Sequence, residues 1–220
     1  MTDSQKLTGD QIEAEGLSDW RVMFHALQTR FRTGNFATGL ELVNQIGAAA
    51  EKMGHHPDLD LRYPHLNIRL HSHDVFGVTQ RDVRLARAIS EFAADLGVSA
   101  DPSVVSVIEV ALDTPDYTAI KPFWRAVLGL RDNPSLDEEL RDDDGDLPTI
   151  WFQATDAHET PRQRFHLDVR VPPEVAQQRI AAALGAGGTL VSDDRAPAFV
   201  VLADPDGNKA CVCTWQGRGS

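Results

Sequence analysis

Two stretches of helical periodicity bracket a run of strict alternation in the first hundred residues, and that order leaves few folds open. Asn35 caps a helix predicted to run to about Met53, with Phe36, Leu40, Val43, Ile46 and Ala50 at the three-to-four spacing of a buried stripe. Gly54 ends it in the left-handed role that favours glycine. From Leu66 the period changes. Leu66, Ile68 and Leu70 share one face and Asn67, Arg69 and His71 the other, as in a half-buried strand. Thr79 caps the next helix, whose apolar face is Val83, Leu85, Ala86, Ile89, Phe92 and Leu96. A short helix over Leu7–Glu15 and two short antiparallel strands within Trp20–Arg32 come first, and His55–Asp60 reads as a loop. The resulting α-β-β-α-β-α order lets two long helices cover one face of an antiparallel sheet.

The chain has 220 residues, which suits two domains of about 100 residues each. Gly97–Ser103 (GVSADPS) is the expected linker. After it come a strand in VVSVIEVALD, a helix over Tyr117–Leu128 stopped by Gly129, and an acidic loop over Pro134–Asp146. Strands in TIWFQAT and RFHLDVRV, a helix over Pro172–Leu184, and two strands around the turn Asp204-Pro205-Asp206-Gly207 complete it. This β-α-β-β-α-β-β order suggests an internally duplicated β-α-β-β unit. The expected fold class is α+β, with domains over residues 1–98 and 104–217.

No stretch approaches the roughly 20 apolar residues that span a bilayer. The polar start Met1–Asp10 lacks the basic and apolar regions of a signal peptide, so a cytoplasmic protein is expected. Net charge is −12, with 10 Lys/Arg against 13 Asp/Glu in the first hundred residues and 11 against 20 in the rest. That balance repels a phosphate backbone or an anionic bilayer, so neither nucleic acid nor membrane is expected as a partner. Cys211 and Cys213 sit at i and i+2 of a strand, at or beyond disulfide reach, in keeping with a reducing compartment.

The chemically dense stretch is Glu51–Asp82, which holds His55, His56, His71 and His73. Histidine titrates near neutrality and can serve as acid or base. A zinc site using His71 and His73 is the alternative, although the stretch has no cysteine.

The pattern Glu51-x3-His55-His56-Pro57-x5-Tyr63-x9-His73-x8-Asp82 resembles the active-site motif of the pterin-4a-carbinolamine dehydratases. Gly77-Val78-Thr79-Gln80-Arg81-Asp82 is similar to that family's Gly-Leu-Thr-x-x-Asp turn, and the resemblance covers roughly residues 5–98. One departure is Leu59, where the family commonly has an aromatic residue. The resemblance implies loss of water across C4a and N5 of a 4a-hydroxytetrahydropterin, giving quinonoid dihydropterin. His55, His56 and His73 would be catalytic, and Glu51, Pro57, Tyr63 and Asp82 would bind or orient, with no cofactor required.

Residues 105–215 resemble a glyoxalase-like domain of the vicinal oxygen chelate superfamily. The resemblance rests on Glu109–Asp116, on Phe123-Trp124 with Val127-Leu128-Gly129-Leu130, on His166-Leu167-Asp168-Val169 and on Asp204–Asn208. It implies a divalent-metal set of Glu109, Gln153, His166 and Cys211, with Cys211 where a glutamate is usual; metal-free binding of a small molecule stays open beside it. Both resemblances imply a homo-oligomer, a dimer being expected. Three readings therefore stand: a dehydratase with an accessory domain, a non-catalytic pterin-binding or interaction scaffold, and a glyoxalase- or dioxygenase-type enzyme led by the second domain.

Overall fold

The computed structural model describes residues 3–217, apart from 129, 143–144, 146, 158–164, 186 and 204–208. The helix stop at Gly129, part of the acidic loop and the Asp204–Gly207 turn lie outside the described residues. The chain forms two compact units that part between Val105 and Ser106. No helix among the described residues is long and apolar enough to cross a membrane.

In the first unit the chain runs α1 (Gly9–Ala14), β1 (Arg21–Met23), β2 (Ala26–Arg32), α2 (Phe36–Met53), β3 (Asp58–Arg62), β4 (His65–Leu70), α3 (Gln80–Asp95) and β5 (Ser99–Ala100). The sheet order is β1-β2-β4-β3, with β5 added to the far end of β2. Leu27, Phe31, Leu66, Ile68 and Leu70 point inward and pack with Leu42, Ile46, Val83 and Ile89 of the helices. Each such fully buried side chain contributes about 1.5–3 kcal/mol of apolar burial.

The caps are as the sequence predicts. The Asn35 side chain accepts a hydrogen bond from the Thr38 amide at 2.9 Å, and Gly54 adopts φ 59°.

Three local expectations change. The buried face of α2 is Gly39, Leu42, Ile46 and Ala50, while Phe36 and Leu40 are 51% and 46% exposed. The cause is Gly39, where a Cβ would stand 2.5 Å from Leu61 Cδ1; the helix presses its glycine onto β3 and turns accordingly. The presumed loop contains β3, an edge strand paired antiparallel to β4 from Asp58↔Arg69 to Arg62↔His65. Part of the presumed linker is β5, paired through Phe31↔Ala100 and Arg32↔Ser99, and Asp101 receives a salt bridge from Arg32.

The second unit runs β6 (Val107–Thr114), α4 (Tyr117–Leu128), β7 (Arg131–Asp132), β8 (Glu139–Arg141), β9 (Ile150–Ala154), β10 (Phe165–Arg170), α5 (Pro173–Gly185), β11 (Thr189–Ser192), β12 (Phe199–Ala203) and β13 (Lys209–Cys213). Its single sheet has the order β11-β12-β13-β10-β6-β9-β8-β7. The duplication is visible in the pairing. β6 pairs parallel with β9 and β10 parallel with β13, while β6 and β10 meet antiparallel at the centre. The sheet has eight strands where the sequence suggests five: β7, β8 and β11 are the additions, and β8 lies inside the acidic loop. Leu112, Ile150 and Phe152 pack with Tyr117 and Ile120 of α4. Val171, Val200 and Val212 pack with Ala176 and Ile180 of α5. Residues of opposite parity on β6, β10 and β13 therefore face away from the helices.

Candidate active site

In the first unit, Gly54 ends α2 and turns the chain so that the His55 amide still bonds to Ala50 O at 3.1 Å. This places the His55 ring inside the fold, 7% exposed, against the first turn of α3. His55 Nε2 lies 2.7 Å from Asp82 Oδ1, and Asp82 is fully buried. The other carboxylate oxygen, Oδ2, accepts from Ser72 Oγ at 2.7 Å, from the Thr79 amide at 2.7 Å and from Thr79 Oγ1 at 3.2 Å. Thr79 and Asp82 form a capping box, so one carboxylate both starts α3 and fixes a histidine.

Burial pushes the Asp82 carboxyl up, but the hydrogen bonds from His55, the Thr79 amide and Ser72 outweigh it and hold the group below the usual carboxylate range. An ionised carboxylate only accepts, so His55 donates through Nε2, which in the neutral ring puts the lone pair on Nδ1. A cavity of about 200 Å³ is lined by His55, Met53, Arg81 and Arg84.

The remaining motif residues are less uniformly placed. His56 is exposed and pairs with exposed Glu51 at 3.1 Å. Pro57 is half-buried and leads into β3. His73 is exposed and rests on His71, ring centroids 4.0 Å apart, in a loop closed by the Ser72 amide donating to Gly77 O at 2.8 Å. Tyr63 sits at the β3–β4 turn and is 72% exposed. It lies five positions beyond Asp58, roughly 17 Å at the usual rise, so the structure does not bring it to the histidines. Leu59 is half-buried and packs on the core. Sequence reasoning missed the role of Ser72, while the Thr79-x-x-Asp82 spacing already carried the capping signal.

His71 is 4% exposed, and its pKa is pushed down to about 4, first by burial and then by the charges of Arg69 and His73, against smaller opposing effects of Asp58 and Asp82. Its folded pKa lies below the unfolded value, so the unfolded chain binds the extra proton. Stability is therefore full above pH ~6.5 and declines as pH falls toward about 4, by about 3 kcal/mol from this group. Urea unfolding of a His71→Gln variant should show a correspondingly flatter loss between these limits. A variant that declines as steeply as the parent would exclude His71 as the source.

In the second unit the sheet face away from the helices is polar. His166, Asp168 and Cys211 offer ligand atoms within 4.8 Å of one another, the one such group of three among the described residues. His71 and His73 therefore gather no third ligand there. Asp168 and Cys211 are register partners on β10 and β13. His166 Nε2 lies 3.4 Å from Asp168 Oδ1 and its Nδ1 lies 3.6 Å from Asp113 Oδ1. Both of those carboxylate oxygens are enclosed and lack a hydrogen bond of good geometry. Burial pushes Asp168 up, yet His166 and Cys211 beside it bring it below the usual carboxylate range.

Of the four ligands implied by sequence, His166 and Cys211 come together. Glu109 does not join them, because it forms a buried ion pair with Arg170. Gln153 is exposed on β9. Asp168 was missed, although it lies two residues after His166 and hence on its face. A nitrogen, a carboxylate and a thiolate that converge fit a divalent cation, and neither cysteine is in a disulfide.

Comparison with known proteins agrees with both halves. Residues 5–92 match the family described as Pterin 4 alpha carbinolamine dehydratase, and residues 109–213 match a family described as Glyoxalase-like domain. A protein of Aquifex aeolicus (strain VF5), assigned by its name to the pterin-4-alpha-carbinolamine dehydratases, is 33% identical over 94 residues, 42% of this chain and 95% of the relative. A like-named protein of Thermosynechococcus vestitus (strain NIES-2133 / IAM M-273 / BP-1) is 35% identical over 92 residues, 41% of this chain and 97% of the relative. A solved structure titled as a glyoxalase/bleomycin resistance protein/dioxygenase superfamily member from Vibrio splendidus 12B01 aligns at 19% identity and TM-score 0.33, over 50% of this chain and 99% of that one. By its first domain the chain belongs to the pterin-4-alpha-carbinolamine dehydratase family, and residues 109–213 of the same polypeptide match the Glyoxalase-like domain model.

Proposed function

We propose that the first domain dehydrates a 4a-hydroxytetrahydropterin, with His55, His56 and His73 sharing the proton transfers. The reaction breaks the C4a–O bond and removes the N5 proton, so water leaves and the quinonoid dihydropterin forms. A base is needed at N5 and an acid at the departing hydroxyl oxygen. The observation that carries this reading is the buried 2.7 Å contact of His55 Nε2 with Asp82, since it leaves Nδ1 unprotonated in the neutral ring. His55 is therefore the base in this scheme. His56 and His73 are exposed, free to exchange protons with water, and supply the acid. Glu51 orients His56, and Pro57 sets the chain direction between the histidine pair and β3. The pterin bicycle lies against the His55 cavity, whose Arg81 and Arg84 carry side-chain charge to its rim.

The test is turnover of a freshly generated 4a-hydroxytetrahydropterin by the full chain in the presence of a strong chelator. A rate well above the uncatalysed dehydration is expected, unchanged by chelation, because acid and base suffice for the chemistry. A rate equal to the uncatalysed one would remove the enzymatic reading and leave a pterin-binding or interaction role.

A further inference from the structure

We propose that the His55 cavity takes a pterin whose short side chain ends in a phosphate, with Arg84 and Arg81 as the anion subsite and Asp3 as the internal carboxylate that the phosphate displaces. The pterin part of this assignment rests on the dehydratase reading, and the anion subsite rests on the two arginines.

Both guanidinium groups line the cavity of about 200 Å³ together with His55 and Met53. They stand three residues apart on α3 and so share one side of the helix. Arg84 grips a single carboxylate with both arms: Nη1 donates to Asp3 Oδ1 at 2.9 Å and Nη2 to Asp3 Oδ2 at 2.7 Å. That parallel fork is also the geometry in which arginine holds phosphate. The Asp3 carboxyl lies below the usual carboxylate range, first through the hydrogen bond from Arg84, then, against an opposing effect of burial, through the charges of Arg84 and Arg81. One anionic group therefore already sits in the field of both guanidiniums. Arg81 has a partner of its own, donating through Nη2 to Asp74 Oδ1 at 2.6 Å.

The plain reading of the Asp3–Arg84 pair is a tether for the start of the chain. Other contacts already hold that segment. Leu7 is buried, its amide donates to Val78 O at 2.8 Å, and Glu15 accepts from Gln80 and Arg87. The Arg84 and Asp3 side chains are 48% and 68% exposed, and ion pairs so open to water add little stability. The pair is thus free to exchange beside the proposed base. Exchange favours phosphate, which carries a charge of about −1.5 to −2 at neutral pH and three strong acceptor oxygens, against the single charge of a carboxylate. Reach limits the side chain. His55 and Arg84 line the same small cavity, so only a few atoms fit between ring and anion. Met53 supplies an apolar wall for the flat ring.

The test is fluorescence titration of the full chain with neopterin and neopterin monophosphate, a neutral and an anionic form of one pterin. The phosphate form should bind on the order of 10-fold tighter at low salt, and the advantage should shrink as ionic strength rises. Inorganic phosphate should compete with the monophosphate and not with neopterin. Arg84→Met should bring the ratio of the two affinities close to one, and Asp3→Asn should widen it by removing the internal competitor. Arg87→Met, on the same helix but bonded to Glu15 outside the cavity lining, should keep the parental ratio. Circular dichroism checks folding; should Arg84→Met not fold, Asp3→Asn and the salt dependence decide. Equal affinities in the parent, or a preference that persists in folded Arg84→Met, overturn the proposal. Turnover of a neutral 4a-hydroxytetrahydropterin is read separately. Turnover without a phosphate preference removes the anion subsite and spares the dehydratase reading, whereas a preference without turnover does the reverse.

Discussion

His55→Gln is expected to slow dehydration on the order of 10²- to 10⁴-fold, the range for losing a positioned proton-transfer group. Glutamine is the informative replacement. Its amide can still donate toward Asp82, so the buried carboxylate keeps a donor and the fold is spared, but it offers no basic nitrogen. An alanine would mix two effects by removing both. The loss should appear in kcat, with pterin affinity little changed, because the ring is proposed to act on the N5 proton rather than to hold the bicycle. His56→Gln and His73→Gln test the acid side in the same assay. Single-turnover rates over a range of pH give the readout. If His55→Gln keeps the parental rate, then His55 is a structural histidine and the assignment of the base fails.

Asp82→Ala should be the most damaging single change in the first domain, lowering stability by roughly 3–5 kcal/mol. Four donors converge on this fully buried side chain: His55 Nε2, Ser72 Oγ, the Thr79 amide and Thr79 Oγ1. Removing the acceptor leaves His55 Nε2 and the Thr79 amide without it, each at about 1–3 kcal/mol where no water can enter, while Ser72 Oγ and Thr79 Oγ1 keep their mutual bond at 2.9 Å. The start of α3 also loses its capping box, worth ~1 kcal/mol. Asp82→Asn separates the two roles. It can still accept from Ser72 and Thr79, yet its amide can turn a donor toward His55 and favour the other tautomer. Asp82→Asn is thus expected to fold and to be slow, while Asp82→Ala is expected to be slow and unstable. Urea midpoints read beside turnover would expose an error, since a stable and active Asp82→Ala would mean the network carries neither function.

What could be read from the sequence was what depends on near neighbours along the chain. The caps at Asn35, Gly54 and Thr79, and the alternation from Leu66 to Leu70, are local and appear in the structure as expected. The expected α2 stripe fails only at Phe36 and Leu40, and the cause is distant: Gly39 turns to Leu61 of β3, while Ile46 and Ala50 are buried as expected. That strand was hidden because β3 is an edge. Asp58, Asp60 and Arg62 point outward and are exposed while Leu59 and Leu61 are half-buried, so its mean polarity matches that of a loop. β5 is too short to show any period.

In the site, the resemblance to the dehydratase motif pointed to His55 and Asp82, and the network through Ser72 became visible only with the fold. Tyr63 shows the limit of motif reading, for fixed spacing in sequence put it at the far end of a hairpin. In the second domain Asp168 was legible by alternation from His166, but its pairing with Cys211 across β10 and β13 joins segments more than forty residues apart.

The pairing symmetry of the second sheet supplies its own blank for the cluster of His166, Asp168 and Cys211. The first strands of the two halves, β6 and β10, correspond so that Glu109 matches His166 and Ala111 matches Asp168, and each is followed in register by a parallel neighbour. Cys211 lies beside Asp168, so its counterpart is the residue beside Ala111, which is Trp151. The corresponding trio in the other half is thus Glu109, Ala111 and Trp151, with one ligand type and a bulky indole where the thiol would stand. A repeat that is twofold in connectivity is onefold in chemistry. A cation offered to this sheet would thus meet three converging donor groups in one half and, in the other, a single carboxylate already paired with Arg170.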